Sequence, residues 1–485
     1  MAKESGVELF RSPSMTPYVT FREGGHAETW PLDSAKFRLW LVHRFYNVVG
    51  KVLGDAAFKQ ARAVLEAEAL FEGEVHQVHL RVAEVQGAIY LDLANSDWQV
   101  VRISPDGWEL LDESPVKFIR AAATRPLPVP ERGGSIDELR QFVNLTDDDY
   151  VLALGWLVAA LRPRGPYPVL TINGEQGSAK STTSRVLRAL IDPNEAPLRS
   201  KARTEEDLMV VAKSSHVMAL DNISHLSADL SDALCRISSG GAFAGRKRYT
   251  DADESIVTAQ RPVLINGISD LVTRSDLLER SVILNAPVIA TEERLPEEVF
   301  WQHFEARRPK ILGALLSALA SGVERLPFTQ VDDLPRMADY ALWASACEEA
   351  LGFASGEFMR VYREHLKEGH LRILEMSPLV PAIIGLLDET AGEVVLTPTD
   401  LKQKLDGVVD PSVSRQSDWP RSVTAMTQAL RRLSPNLREI GIGYDELKSN
   451  GSESRRYRRL YRLPVGGQVE ESQTPEEDYP VYTFN

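Results

Sequence analysis

The sequence YPVLTINGEQGSAKSTTSRVLRALI, residues 167–191, contains three parts in succession. A β-branched run predicts a strand, a short loop carries two glycines, and an amphipathic stretch predicts a helix. In this order of elements, the backbone N–H groups of the loop and the positive end of the helix dipole converge on an anion. The stretch therefore predicts a phosphate-binding loop at the centre of an α/β domain.

Two side chains at the start of the predicted helix suit a nucleotide with a bound metal ion. Lys180 can reach the outer phosphates, and the Ser181 hydroxyl can bind Mg²⁺. The usual pattern has glycine directly before the lysine, whereas this chain has Ala179, whose methyl group costs about 1–2 kcal/mol if its φ is positive. The alternative is a glycine-rich turn without a ligand. The predicted nucleotide-binding residues in the loop are Gly174, Glu175, Gln176, Gly177, Ser178, Ala179, Lys180, Ser181 and Thr182.

The composition is that of a globular protein with several domains. The chain has 485 residues, of which 43% are hydrophobic and 26% charged, and this length suits about three domains. The formal net charge of −14 restricts any nucleic-acid site to a local basic patch. Cys235 and Cys347 have neither disulfide-framework nor metal-ligand spacing, which predicts a reducing, cytoplasmic location. We expect no signal peptide and no membrane association, since no apolar run is long enough.

The order of predicted elements divides the chain into five regions. Residues 1–134 predict an α+β domain that ends in a linker rich in proline and glycine. Strands alternating with helices over 135–325 predict an α/β core with a mostly parallel sheet. Helices over 326–388 predict a lid, and two helices with a two-stranded ribbon over 389–463 predict a winged helix. The acidic residues 464–485 predict a disordered tail.

Polar side chains flank three further apolar strands. Asp221 ends the strand HVMALDN, where a carboxylate can hold the Mg²⁺ that bridges the β- and γ-phosphates; capping of the next turn is the alternative. Asn266 ends the strand RPVLING, where an amide can orient the attacking water or contact the γ-phosphate. Arg274 and Arg280 precede the following strand, and an arginine there can act on the γ-phosphate of a neighbouring subunit.

These motifs, in this order and spacing, resemble those of AAA+ ATPases. The similarity is greatest to the superfamily III and MCM-like helicases of bacteriophages and other mobile elements. It covers roughly residues 135–463, and the matching stretches are GEQGSAKST, VMALDN, SGGAFAGRKRYTD, RPVLING and DLLERSVIL. The resemblance implies a P-loop AAA+ fold that binds ATP and Mg²⁺ and assembles as a ring of six subunits.

The resemblance also implies roles for individual residues. Lys180 and Ser181 would be the Walker A residues, with Ser181 and Asp221 as metal ligands. Asn266 would be sensor 1, Arg280 the arginine finger, and Arg336 a nucleotide-binding sensor 2 in the lid. The catalytic set would thus consist of Lys180, Asp221, Asn266 and Arg280.

One position departs from the family pattern. Many AAA+ ATPases have glutamate directly after the Walker B aspartate as the base that activates water, whereas this chain has Asn222. An amide cannot accept that proton. Either another carboxylate, such as Glu175, serves as the base, or hydrolysis is slow.

Two basic clusters predict contact with DNA. Arg246, Lys247 and Arg248 lie between Asp221 and Asn266, where the family inserts a hairpin into the central channel, and phosphate contacts need no base specificity. The alternatives are a solvated basic strand or contact with nucleotide across an interface. The second cluster lies on the predicted winged helix, a module that binds either duplex DNA or protein. Its predicted DNA-binding residues are Arg455, Arg456, Arg458 and Arg459, and Arg431, Arg432 and Arg462 lie in the same region.

The sequence thus predicts a ring-forming, ATP-driven DNA translocase, most simply a replicative helicase of a phage or other mobile element. Single-stranded DNA would pass through the channel and duplex DNA would bind the winged helix. The acidic tail is a candidate contact for other replication proteins. The alternative is a DNA-bound nucleotide switch, a slow ATPase that regulates or licenses replication without unwinding DNA.

Overall fold

The computed structural model describes residues 6–200, 202, 204–246, 254–268, 270–416, 419–448 and 455–464. The chain divides into two compact units. The first consists of Met1–Leu271 and Arg280–Tyr362, and the second of Val272–Glu279 and Arg363–Asn485. The predicted boundaries after residues 134, 325 and 388 therefore do not separate the units. The predicted acidic tail from residue 465 onward lies outside the described residues.

The first part of the N-terminal unit is a four-stranded sheet covered by two helices. The strand order is β3-β2-β1-β4. Ser34 begins the first helix by accepting a hydrogen bond from the Phe37 N–H, and Gly50 ends it with a φ of 71°. Apolar side chains of both helices and of the sheet form one core. The elements are β1 (Glu8–Arg11), β2 (Pro17–Glu23), β3 (His26–Pro31), α1 (Ala35–Val49), α2 (Asp55–Phe71) and β4 (Glu74–Val75).

A second four-stranded sheet follows, with antiparallel pairs in the order β6-β7-β8-β9. Its strands are joined by tight turns, in which Gly87 and Gly107 have positive φ. Two short strands, β5 and β10, pair in parallel beside it. The elements are β5 (Val78–His79), β6 (Val82–Val85), β7 (Ala88–Asp92), β8 (Val100–Ser104), β9 (Gly107–Leu111) and β10 (Lys117–Phe118).

The segment 120–134, which its composition predicted to be a linker, packs tightly on the rest of the unit. Leu127 is buried, and its N–H bonds to the Leu93 carbonyl oxygen at 2.8 Å. A Cβ at Gly134 would lie only 2.4 Å from the carbonyl oxygen of Lys310, so glycine is needed for this close approach. The predicted linker is wrong, because proline and glycine serve here to fit the chain against a neighbouring helix.

The parallel sheet predicted for the core is present. A 3₁₀ helix, Ile136–Phe142, leads into it, and its strand order is β12-β15-β11-β16 with every pair parallel. The elements up to its last strand are α3 (Asp147–Ala160), β11 (Val169–Asn173), α4 (Lys180–Ala189), α5 (Glu205–Ser214), β12 (Met218–Ile223), α6 (Ala228–Ser239), β13 (Ala242–Arg246), β14 (Glu254–Thr258), β15 (Val263–Gly267), α7 (Ser275–Leu278) and β16 (Ser281–Asn285). Of these, α7 belongs to the C-terminal unit.

Helices complete the N-terminal unit. α8 (Glu297–Arg325) follows a 3₁₀ turn, Thr291–Glu293, and α9 (Ala338–Cys347) follows a 3₁₀ turn, Leu326–Phe328. Within the described residues, Glu297–Phe328 is long and apolar enough to span a bilayer, but half of its apolar window is buried inside the protein, as in a core helix. The Trp343 indole donates to the Val158 carbonyl oxygen at 2.9 Å, so α9 is packed into the core of this unit. The predicted lid, 326–388, is therefore split between the two units.

The C-terminal unit contains helices and a three-stranded antiparallel sheet in the order β17-β19-β18. The sequence pattern predicts the β18–β19 ribbon but not β17. Leu401, Leu405, Met426, Leu430 and Leu460 are buried between the helices and the sheet. The elements are α10 (Glu357–Met376), of which the part from Arg363 belongs here, α11 (Leu379–Glu389), β17 (Glu393–Leu396), α12 (Pro398–Val408), α13 (Val423–Glu439), β18 (Ile442–Lys448) and β19 (Arg456–Arg462).

Candidate nucleotide site

The predicted phosphate loop connects the central strand β11 to α4. The helix begins at Lys180, whose Nζ donates to the Glu175 carbonyl oxygen at 3.1 Å. A Cβ at Gly174 would lie 2.4 Å from Ser178 Oγ, so the loop is closely folded there. Ala179 has φ 55° and ψ 22°, the left-handed conformation in which its methyl group costs about 1–2 kcal/mol. The loop therefore has the expected order of elements, together with the strain that alanine introduces.

The two predicted metal ligands are in contact. Ser181 Oγ donates to Asp221 Oδ1 at 2.9 Å, and the two side chains come from α4 and from β12. Both groups offer oxygen atoms, which are the ligands that Mg²⁺ prefers. Parallel strands bring their carboxyl ends to one edge of the sheet, and this is where ligands bind in α/β folds.

Asn266 joins the loop helix to the strand of Asp221. Its side chain is fully buried, Oδ1 accepts from the Asn222 N–H at 2.9 Å, and Nδ2 donates to Ser184 Oγ at 2.9 Å. Ser184 Oγ in turn donates to the Lys180 carbonyl oxygen at 2.7 Å. The sequence pattern predicts Asn266 at the site but not Ser184, although Ser184 lies one turn after Lys180 on the same helix and this spacing could have indicated it.

Asn222 and Glu175 are the two residues considered for activating water. Asn222 has a left-handed φ of 53°, and its side chain is exposed. Glu175 is also exposed and lies in the phosphate loop. Among these two, only Glu175 has a group that can accept a proton.

Arg280 lies at the opposite edge of the sheet. Its carbonyl oxygen accepts from the Val169 N–H at 2.8 Å, and Val169 begins the strand at whose far end the phosphate loop starts. Five strand residues separate the two edges, a span of about 16 Å. Arg280 is therefore remote from the phosphate loop of its own chain.

Arg336 is also remote from the loop. It is exposed and precedes α9, where the Asp339 carbonyl oxygen accepts from Arg162 at 3.3 Å. Arg162 lies just beyond the last turn of α3, whereas Asp149 in the first turn of α3 accepts from the Asn285 N–H at 3.0 Å near the loop. About 20 Å of helix separates these two ends. The contacts of α9 thus lie toward the end of α3 that is far from the loop, and the sensor 2 role of Arg336 stays a prediction.

Two further residues at the loop had no signal in the sequence. Asn144 Nδ2 donates to the Ser178 carbonyl oxygen at 2.9 Å. A Cβ on Gly177, which has a φ of 82°, would lie 3.1 Å from Arg294 Nη2. Both come from segments far away in the sequence, so only the fold brings them to the loop.

The residues present fit ATP with Mg²⁺. The Ser181 and Asp221 oxygens could hold the metal ion, and Lys180 is the cation beside them. Ser178 Oγ is buried in the loop and has no hydrogen-bond partner within the described part of the chain. In the same part of the chain, no group of three or more histidine, cysteine, aspartate or glutamate residues could hold a metal ion.

The predicted basic hairpin is present as a strand pair. β13 pairs antiparallel with β14, and Arg246 is opposite Glu254. Lys247 and Arg248, together with the predicted turn, lie outside the described residues. The strand pair therefore has the predicted form and position between β12 and β15.

The arginines of the C-terminal unit are engaged with acidic side chains to different extents. Arg459 Nε lies 2.8 Å from Glu393 Oε1, and Arg431 Nη2 lies 2.7 Å from Glu446 Oε2. Arg456 is exposed, whereas the Arg458 side chain is only 7% exposed and lies 3.6 Å from the same Glu446. The prediction that Arg458 contacts DNA is corrected, because its place on the inner face of β19 keeps its guanidinium from a phosphate.

A second polar cluster lies at the edge of the sheet opposite the loop. Arg81 and Asp192 form a buried ion pair with Nε and Oδ1 3.0 Å apart. Asp192 Oδ2 also accepts from the backbone N–H groups of His216 and Val217, which precede β12. Although burial alone would raise the pKa of Asp192, Arg81 and its other partners hold that pKa below its usual value. Burial lowers the pKa of His216 to about 4.

Comparisons with known proteins identify the family. A family profile described as the actinomycete integrative conjugative element replication protein matches residues 136–369, and one described as the C-terminal domain of the same replication protein, RepA, matches residues 379–474. Together they span about two thirds of the chain. No curated protein sequence matches the chain.

Solved structures of the NrS-1 C-terminal region are similar at low identity. The A-form apo structure is 11% identical, with a TM-score of 0.41, and the match covers 95% of this chain and 98% of that chain. A second A-form structure, of residues 305–718, is 11% identical with a TM-score of 0.40, covering 95% and 97%. The prediction of a mobile-element replication protein is confirmed by the family profiles, and the chain belongs to the replication proteins of actinomycete integrative conjugative elements.

Proposed function

We propose that this replication protein is an ATP-driven DNA translocase that works as a ring of subunits, in the simplest case a hexameric helicase. The observation that carries the proposal is the contact between Ser181 and Asp221 beside Lys180, at the carboxyl edge of a parallel sheet. This is the set of groups that holds a nucleotide triphosphate with Mg²⁺ in P-loop ATPases. Because the motifs of Lys180, Asp221, Asn266 and Arg280 follow one another in the order found in AAA+ ATPases, we include an AAA+ domain in the proposal.

Each residue of the nucleotide site has a proposed role. Lys180 and the loop N–H groups would hold the phosphates, and Ser181 and Asp221 would hold Mg²⁺, which would neutralise charge that develops on the phosphates. Asn266 would position the site, because its two hydrogen bonds fix β12 relative to α4. Glu175 is the carboxylate in the loop that could accept a proton from water.

Arg280 would act on a neighbouring subunit. Its own phosphate loop is at the opposite edge of the sheet, so any contact with a γ-phosphate needs a second chain. A head-to-tail contact of this kind closes into a ring when its rotation allows. The position of Arg280 thus supports the oligomer as well as the finger role.

Two regions would contact DNA. β13 ends at Arg246, and Lys247 and Arg248 follow it in the sequence, a run of charge suited to phosphates of any sequence. From α11 to β19, the C-terminal unit has the element order helix, strand, helix, helix, strand, strand, which supports a winged helix. Arg455, Arg456 and Arg459 are the proposed phosphate contacts there.

The deciding experiment measures ATP turnover with and without single-stranded DNA, together with strand displacement. Lys180→Ala should abolish ATP turnover without changing the fold, because Lys180 contacts ligand and not core. Lys213→Ala, an exposed lysine on α5, is the matched control and should leave turnover unchanged. Normal turnover in Lys180→Ala would refute the assignment of the loop.

A second experiment separates the two DNA-binding regions. Arg246→Ala with Lys247→Ala and Arg248→Ala should remove DNA stimulation and unwinding while DNA is still bound. Arg455→Ala with Arg456→Ala and Arg459→Ala should weaken DNA capture and leave basal turnover unchanged. For each phosphate of duplex DNA that the variant no longer neutralises, the salt slope should fall by about 0.9. If the variant with Arg246, Lys247 and Arg248 replaced kept full DNA-stimulated turnover and unwinding, the proposed motor role of the strand pair would be wrong.

A slow nucleotide switch is the second candidate. Asn222 stands where many AAA+ ATPases have a catalytic glutamate, and Ala179 holds a strained conformation in the loop. If the wild-type chain binds ATP tightly but neither DNA-stimulated turnover nor strand displacement is measured, the switch is the better account. Asn222→Asp, which restores a carboxylate, should then raise turnover.

A further inference from the structure

The segment that follows β16 runs along the phosphate loop. The Ala286 N–H donates to the carbonyl oxygen of Asn173, the last residue before the loop, at 2.8 Å. The Ile289 N–H donates to the Gly177 carbonyl oxygen, inside the loop, at 3.2 Å. These two bonds hold the start of the segment against the loop, and Arg294 follows shortly after them in the sequence.

The guanidinium of Arg294 lies at the backbone of the loop. A Cβ at Gly177 would lie 3.1 Å from Arg294 Nη2 and 3.8 Å from its Cζ. An anion that accepted from the Gly177 N–H would be about 3 Å from that nitrogen. A change of rotamer is therefore enough to bring the guanidinium to an anion that the loop binds.

The Arg294 side chain has hydrogen-bond donors to offer. It is exposed, and its Nη2 donates to the Ile289 carbonyl oxygen at 3.4 Å, which is longer than the usual distance of about 2.9–3.0 Å. A guanidinium carries five N–H groups. Among the described residues, no carboxylate forms an ion pair with Arg294. The side chain can therefore turn to a new acceptor without breaking an ion pair.

We propose that Arg294 binds the phosphates of the nucleotide within its own chain, as a second cation beside Lys180. This inference rests on the proposed function, because it needs a nucleotide in the loop. Arginine suits the role, since its paired N–H groups can bond two phosphate oxygens at once. Arg280 would act on nucleotide only across a subunit contact, whereas Arg294 would bind it in a single chain.

The test is equilibrium binding of two probes to the full-length chain with Mg²⁺. One probe is ADP, and the other is inorganic pyrophosphate, which has phosphates but neither base nor ribose. Arg294→Ala should weaken the binding of both about tenfold, as loss of a charge-assisted hydrogen bond does. Arg294→Lys, which keeps the charge but not the planar fork, should recover part of the affinity. Arg22→Ala is the matched control, because it removes an exposed arginine that pairs with Glu113, and should change neither affinity.

Two further readouts separate a phosphate contact from support of the loop. Without ligand, the melting temperature of Arg294→Ala should equal that of the wild type, because the side chain is exposed. The loss of affinity should shrink as salt is raised, because exposed charges are screened. A lower melting temperature, or a loss of affinity that salt does not change, would make Arg294 a support of the loop and overturn the proposal.

The two probes also separate this inference from the function on which it rests. If Arg294→Ala bound pyrophosphate as tightly as the wild type does, the phosphate contact would be wrong, even if ADP bound more weakly. That pattern would assign Arg294 to the base or the ribose. If the wild-type chain bound neither probe, the proposed nucleotide site itself would be refuted.

Discussion

The two edges of the parallel sheet carry polar clusters of opposite character. At the carboxyl edge, Ser181 and Asp221 are partly exposed and bond to each other, so an arriving ligand can take over their hydrogen bonds. At the amino edge, Arg81 and Asp192 are buried, and backbone N–H groups also bond to the carboxylate. Similar polar groups are thus open to a ligand at the carboxyl edge, where they are accessible, and hold parts of the fold together at the amino edge, where they are buried.

The largest effect that this comparison predicts concerns Arg280, which lies at the amino edge but is proposed to act catalytically. Arg280→Ala should lower ATP turnover by ~10³-fold or more, as loss of an arginine finger does. ATP binding should be almost unchanged, because the residue is remote from its own loop. Turnover at saturating ATP and equilibrium nucleotide binding are the two measurements.

Mixing restores activity if Arg280 acts on a neighbour. Chains with Arg280→Ala and chains with Lys180→Ala should each be inactive alone, but an interface between them can combine an intact loop with an intact finger. Partial recovery of turnover is therefore expected in the mixture. No recovery, with normal oligomerisation, would place the role of Arg280 within its own chain or in the fold.

The next effect is on stability at the buried cluster. Arg81→Ala leaves the Asp192 carboxylate buried without its guanidinium partner and should lower the free energy of unfolding by about 3–5 kcal/mol. Chemical denaturation measures the loss. Arg102→Ala is the control, because Arg102 pairs with Glu109 at the surface, and should leave the unfolding transition where it is. Equal effects of the two variants would contradict the structural role of the cluster.

His216, in the same cluster, should make the stability of the fold depend on pH. Burial lowers the pKa of His216 to about 4, below the ordinary value of 6.5. Between pH 6.5 and pH 4, His216 is therefore protonated in the unfolded chain but neutral in the folded chain. Stability should therefore fall as the pH drops from 6.5 toward 4, by at most about 1.4 kcal/mol per pH unit. His216→Gln should flatten this part of the pH profile of the melting temperature. If the melting temperature of His216→Gln fell with pH as steeply as that of the wild type, other groups would be responsible for the loss of stability in acid.

The smallest effect concerns the strained loop. Ala179→Gly removes the methyl group from a left-handed residue, a gain of about 1–2 kcal/mol that the greater freedom of glycine in the unfolded chain partly offsets. The melting temperature should rise slightly and ATP turnover should be kept. Ala306→Gly, in an exposed helical position, should lower stability by about 1 kcal/mol. A loss of stability in Ala179→Gly would contradict the left-handed conformation.

Local patterns in the sequence predicted the parts of the site that depend on one element each. The β-branched run before Gly174 and the amphipathic stretch after Lys180 indicated strand, loop and helix, and the apolar runs ending in Asp221 and Asn266 indicated neighbouring strands. Parallel strands then bring such ends together without further information. The contact between Ser181 and Asp221 therefore follows from patterning alone.

Contacts between distant segments could not be predicted in this way. Proline and glycine at 120–134 indicated a linker, but Gly134 is there because the Lys310 backbone lies against it. Arg458 belongs to an arginine-rich run, but strand alternation turns it inward beside Leu460. Asn144 reaches the loop only through the tertiary fold. Composition shows neither the partner of a residue nor the face on which it lies.

The short segment Val272–Glu279 belongs to the C-terminal unit although it lies in the sequence between two strands of the parallel sheet, β15 and β16. Ser275 Oγ donates to the Arg432 carbonyl oxygen at 3.0 Å, and a Cβ on Gly369 would meet the Leu278 side chain at 2.5 Å. The chain thus passes between the units three times, and the second crossing leads directly to Arg280. If recombination between mobile elements replaced residues 363–485 with those of a diverged relative, the new C-terminal region would have to pack against a segment Val272–Glu279 from the other element. Inheritance of the two regions as one block is the expected result, even though they are far apart in the gene.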